Sequence, residues 1–186
     1  MPEIIKKRTE KTGLPPGTLV HIGERKGEKT KITKLSYDEL EIEEREVFSI
    51  EECLPCKDES KVTWINVDGL HQIEILEKLN NYYRLHPLVL EDILNTDQRP
   101  KIDDLGDFIF IVLKMLYYRD NEIATDQISL VLGSNFVLSF QEEERNIFNP
   151  VRERLHTGKG RLRKAGADYL VHALLSIQFI YPWEST

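Results

Sequence analysis

The chain has 186 residues, 40% of them apolar and 31% charged, with a formal net charge of −7. This is one domain's worth of chain with material for a core, and it excludes collagen-like, disulfide-scaffold and fully disordered classes. The negative balance argues against a dedicated nucleic-acid binder, and two cysteines do not make a secreted disulfide framework.

The first ten residues are polar and basic and read as frayed. With no apolar h-region there, a reducing, cytoplasmic setting is the expectation. Turn chemistry at Gly13–Gly17 precedes a short strand near Leu19–Ile22. Two further strands are predicted near Lys29–Ser36 and Glu39–Glu43, with Tyr37 and Asp38 at the turn. Lys61–Val67, "KVTWINV", is β-branched and aromatic and predicts a strand. Leu70, Ile73, Leu76 and Leu79 then recur at helical spacing, with Asp68 as the expected cap.

A second short helix follows in "RLHPLVLEDILN", where Pro87 suits the first turn because that N–H has no intrahelical partner to lose. Arg99-Pro100 predicts a rigid, extended connector, with Arg99 available to pair with a nearby acid. Asp103 and Asp104 read as turn residues leading into a long strand, "DFIFIVLKMLYY". That run is interrupted by Lys114 and falls short of the roughly 20 apolar residues a membrane helix needs. "DQISLVLG" and "NFVLSFQ" predict two more strands around the tight-turn signature Gly133-Ser134-Asn135. From Glu142 the chain reads as helices: "NPVRERLH", with Pro150 in its first turn, and "RLRKAGADYLVHALLS". Strands apolar on both faces need cover on both faces. The expected fold class is therefore α/β: an α/β/α sandwich around a mixed parallel and antiparallel sheet, with a helical last third.

The charge is unevenly spread: +5 over residues 1–34, −8 over 35–59, −5 over 60–126 and +1 over 127–186. The acidic run is either a solvated face or a surface that gathers cations. Phosphate-cradling loops, a nucleophile elbow and H-E-x-x-H are absent from the sequence, and His21, His71, His86, His156 and His172 stand singly. Cys53-Leu54-Pro55-Cys56 has three readings: incidental loop cysteines, a redox dithiol, or half of a zinc site whose other half is missing. Glu91 and Asp92 are adjacent acids in a helix, about 100° apart, so they do not chelate one ion together. Each is either part of a solvated face or an oxygen donor to a hard cation shared with another chain.

Several strings in order, "WINVDGL" (Trp64–Leu70), "HPLVLEDILN" (His86–Asn95), "QRPKI" (Gln98–Ile102), "QISLVLGSNFVLSFQE" (Gln127–Glu142), "PVRERL" (Pro150–Leu155) and "GADYLVHALL" (Gly166–Leu175), resemble the amino-terminal domain of the CorA family of magnesium and cobalt transporters. The resemblance runs from about Gly13 to Leu175. It implies a flexible segment at 1–12, a regulatory domain at 13–175 and a divergent or non-native tail at 176–186, with the stalk and membrane helices absent. It also implies a homopentamer whose full-length form is an integral membrane protein with this domain on the cytoplasmic face, and no enzymatic activity.

The family's regulatory cation sites lie between neighbouring subunits. The acid of the "LED" string falls on Asp92, with Glu91 beside it, and its partner acid lies on the neighbour's stalk helix. These two residues are the expected metal ligands, for weakly held Mg²⁺ or Co²⁺. A further family acid commonly follows "ALL", where this chain has Ser176. The expected function is Mg²⁺ sensing that gates a divalent-cation channel. The alternatives are a zinc-transporting relative on the same scaffold and a soluble thiol-redox or interaction module.

Overall fold

The computed structural model describes residues 30–53, 60–119 and 122–180. Seven strands form one sheet: β1 (Lys31–Tyr37), β2 (Ile42–Val47), β3 (Val62–Asp68), β4 (Lys101–Asp104), β5 (Ile109–Arg119), β6 (Glu122–Leu132) and β7 (Phe136–Gln141). Their order is β2-β1-β3-β7-β6-β5-β4, and only β3 and β7 pair in parallel. The helices are α1 (Ile50–Cys53), α2 (Ile73–Tyr83), α3 (Pro87–Leu94), α4 (Asn149–Thr157) and α5 (Ala167–Ile180).

Alternation along the strands creates two cores. Ile65, Val67, Phe110, Val112 and Phe140 point to the face covered by α1, α2 and α3, where Leu76, Leu79, Val89, Leu90, Ile93 and Leu94 meet them. Trp64, Ile111, Met115, Ile128, Leu130 and Val137 point to the other face, under α4 and α5. The expected α/β/α sandwich around a mixed sheet is what forms. Gly133 closes the β6–β7 turn because a Cβ there would lie 2.1 Å from the Phe136 ring.

Several boundaries differ from expectation, each for a local reason. The second strand starts at Ile42 rather than Glu39, because Asp38 Oδ1 accepts the Leu40 and Glu41 N–H groups, both at 2.7 Å, and holds 38–41 as a turn. Those two bonds also keep the Asp38 carboxyl below its usual pKa range. Tyr37 is the last residue of β1 rather than a turn residue.

Asp68 caps no helix: parallel pairing with Gln141 keeps it in β3, and α2 starts only at Ile73. Asp103 and Asp104 lie within β4, an edge strand paired to β5, rather than in a turn. The last helical stretch is broken. A 3₁₀ turn at Leu162–Lys164 is separated from α5 by extended Ala165 and by Gly166. α5 itself continues past Ser176 to Ile180. The strand expected near Leu19–Ile22 lies outside the described residues, as does Pro182.

Candidate cation-binding site

α3 carries both expected ligands. His86 caps it, its Nδ1 accepting the Leu88 N–H at 3.2 Å, and Pro87 fills the first turn as expected. Val89, Leu90, Ile93 and Leu94 bury one stripe of the helix, which leaves Glu91 and Asp92 half-buried at its border. Both acids fall in the last turn, where the aligned peptide dipoles present their negative end. Anions are disfavoured there and cations are drawn in.

The end of α3 is tied to the sheet by side chains. The Asn95 N–H donates to Glu91 O at 3.0 Å. Gln127 Nε2 donates to Asp92 O at 3.2 Å, and Lys114 Nζ donates to Thr96 O. Lys114 and Gln127 are cross-strand partners on β5 and β6, so one register of the sheet caps the carbonyls of the helix end and of the residues just after it. Gln127 is 1% exposed, and its Oε1 has no partner among the described residues.

The Asp92 carboxylate is already engaged. Oδ2 lies 2.6 Å from Lys101 Nζ on β4, and Oδ1 accepts from Gln98 Nε2. The same ammonium reaches Asp103 Oδ2 at 2.7 Å and stands 5.5 Å from the centre of the Phe110 ring. Burial works against the Lys101 charge, but the hydrogen bonds it donates to Asp103 and Asp92 outweigh it and raise the pKa. Asp92 and Asp103 thus share the Lys101 ammonium, while the Lys114 ammonium meets the Thr96 carbonyl just beyond the helix end.

Glu91 and Asp92 diverge around the helix, and among the described residues no three His, Cys, Asp or Glu side chains are placed to hold a metal. The position after "ALL" offers a hydroxyl instead of a carboxylate, and Ser176 Oγ donates to His172 O at 2.7 Å. The expected acid partner Arg99 is exposed, and Lys101 takes that role. Lys101, Gln98 and Gln127 are the residues that reading the sequence missed. The available signal was Pro100, which disfavours helix at Arg99 and so separates α3 from β4, whose pairing with β5 places Lys101.

Other candidates have structural places. Cys53 closes α1 and is fully buried in the first core, while Cys56 lies outside the described residues. His156 contacts Glu44, His172 stacks on Tyr169 at 5.8 Å, and His71 Nε2 is 3.5 Å from Thr30 Oγ1. Much of the acidic run is paired within the chain: Glu41 with Lys61 at 2.9 Å, Glu39 with Lys164 at 2.9 Å, Glu51 with Lys78 at 2.5 Å and Glu44 with Arg152 at 3.5 Å.

The family model described as "CorA-like Mg2+ transporter protein" matches residues 59–180, well over half the chain. The chain belongs to the CorA family. It is 43% identical over 172 residues to the cobalt/magnesium transport protein CorA of Thermotoga maritima, covering 91% of this chain and 49% of that relative. The chain therefore spans about half the length of that CorA protein. Among solved structures it resembles full-length CmaX, with a TM-score of 0.60, 19% identity and coverage of 81% and 47% of the two chains. It also resembles the soluble domain of CorA from Methanocaldococcus jannaschii, with a TM-score of 0.58, 17% identity and coverage of 79% and 55%. The second of these likenesses shows that the fold of a CorA soluble domain is shared. Among the described residues no helix is long and apolar enough to cross a membrane.

Proposed function

We propose that this CorA-family domain senses Mg²⁺ or Co²⁺ on the cytoplasmic side of a divalent-cation transporter, with Asp92 and Glu91 as its ligands toward an adjoining subunit of a homopentamer. The observation that carries this reading is the position of both acids in the last turn of α3, at the negative end of the helix. Mg²⁺ is small, hard and reluctant to shed water, so one carboxylate from each of two chains with retained waters suits it better than a closed cage. Such a site is weak and can follow cytosolic Mg²⁺. Bound ions bridge subunits and hold the ring shut; lost ions leave acids facing each other and the subunits separate. The ion acts only through its better binding to the closed state.

The test is a chimera in which this chain replaces the matching half of the Thermotoga relative. Mg²⁺ is expected to protect the chimera from protease, and Asp92→Asn to raise the protecting concentration at least severalfold. Equal protection of both proteins sinks the assignment of Asp92.

A further inference from the structure

We propose that Lys101 is the resident counter-ion of the Asp92 site, and that a divalent cation reaches Asp92 by displacing this ammonium onto Asp103. The inference rests on the reading of Asp92 as a cation-binding acid and adds what sets its affinity. Lys101 Nζ lies 2.6 Å from Asp92 Oδ2 and 2.7 Å from Asp103 Oδ2, so it bridges the two acids and has a second berth when it leaves the first. A lysine head is a compact charge on a flexible four-carbon stem with three donors, able to swing between acceptors without moving the backbone. Its side chain is 32% exposed and that of Asp92 22%, so water and ions reach the pair.

The surroundings hold the acid still while the ammonium is free to exchange. Asp92 is fixed through its own carbonyl by buried Gln127, and its other carboxylate oxygen is held by Gln98. Lys101 sits on a four-residue edge strand with β5 as its partner. Without compensation, Asp92 and Asp103 face each other near the negative end of α3. With Lys101 present Asp92 has a cationic partner before any ion arrives, and an incoming cation gains only the difference between its own binding and that of the ammonium. That difference makes the site weaker and more reversible than its acids alone would make it.

The test follows amide signals of residues 91–93 in the 186-residue chain by NMR while Mn²⁺ is added as a paramagnetic stand-in for Mg²⁺. Lys101→Met is expected to lower the midpoint of broadening about threefold, the factor a partly exposed ion pair carries. Lys101→Arg, which keeps the charge, is expected to stay near the parent. Broadening should vanish in Asp92→Asn. Equal midpoints for the parent and Lys101→Met, with broadening still lost in Asp92→Asn, overturn the role of Lys101 and leave Asp92 standing. Broadening that survives Asp92→Asn overturns both. A measurement on the unaltered chain guards against misfolded variants: the Lys101 Nζ signal is expected to shift as Mg²⁺ is added, and an unmoved signal at saturation refutes the proposal.

Discussion

Asp68 and Asp92 each close or nearly close an element, and both are largely withdrawn from water, yet they are neutralised by different means. Asp68, only 4% exposed, accepts from Asn66 Nδ2 at 2.8 Å and Gln141 Nε2 at 2.6 Å. Ser139 Oγ donates to Asn66 Oδ1 at 2.6 Å, and Trp64 Nε1 donates to Ser139 Oγ at 2.9 Å, so the network is tied into the second core. Its nearest donors are neutral amides. The charges that face it are Lys31 on β1, Arg152 on α4 and Glu144 beyond β7, and burial dominates, pushing its pKa up to about 6. Asp92 instead meets a full positive charge at 2.6 Å and remains partly open to water. Neutral donors fix an acid in place and leave its charge costly. A mobile ammonium removes the cost and can be traded for another cation.

The largest expected effect is at the first site. Asn66 serves Asp68, Ser139 and Gln141 at once, so Asn66→Leu leaves polar groups buried without their partner. A loss of about 3 kcal/mol is expected in urea unfolding, since each orphaned group costs about 1–3 kcal/mol. A loss below about 1 kcal/mol would place this network among the tolerant parts of the fold.

The next effect is a pH dependence. The folded-state pKa of Asp68 is raised from 3.8 to about 6, so its contribution to stability is fully present below about pH 4 and is lost as pH rises through 6. The expected loss between pH 4 and pH 7 is about 2 kcal/mol, from the usual 1.36 kcal/mol per unit. Asp68→Asn should flatten this slope relative to the parent, whatever its absolute stability. Parallel pH profiles for the two proteins would contradict the assigned shift.

The smallest effect is at the second site. A double-mutant cycle of Asp92→Asn and Lys101→Met, without divalent ions, is expected to show a coupling of under about 1 kcal/mol, because the pair is partly exposed. The coupling should shrink further in about 0.5 M salt. A coupling of several kcal/mol that resists salt would make the pair a structural strut rather than an exchangeable one.

Local patterns carried most of the fold into view. Pro87 and Pro150 marked helix starts, a β-branched and aromatic run marked β3, a long apolar run marked β5, and the tight-turn signature at Gly133–Asn135 marked β6 and β7 on either side of it. Missed boundaries came from side chains acting on backbone that periodicity does not register. Asp38 delayed β2, and the pairing of β3 with β7 held Asp68 in a strand. The acids of the candidate site were visible as "LED" on a helix. Their counter-ion was not, because the contact between Asp92 and Lys101 depends on β4 folding back beside α3.

By itself the order of residues determined the alternation, the proline-marked helix starts, the mixed α/β class and the family, since each is written in short-range spacing or in strings read one after another. Only the tertiary structure decided that, among the described residues, seven strands join in one sheet with a single parallel pairing, that Gln127 and Lys114 grip the end of α3, and that Lys101 meets two carboxylates. The physical reason is range. Backbone preference acts over a few residues, whereas a charge answers to whatever packing brings within a few ångströms, however distant along the chain.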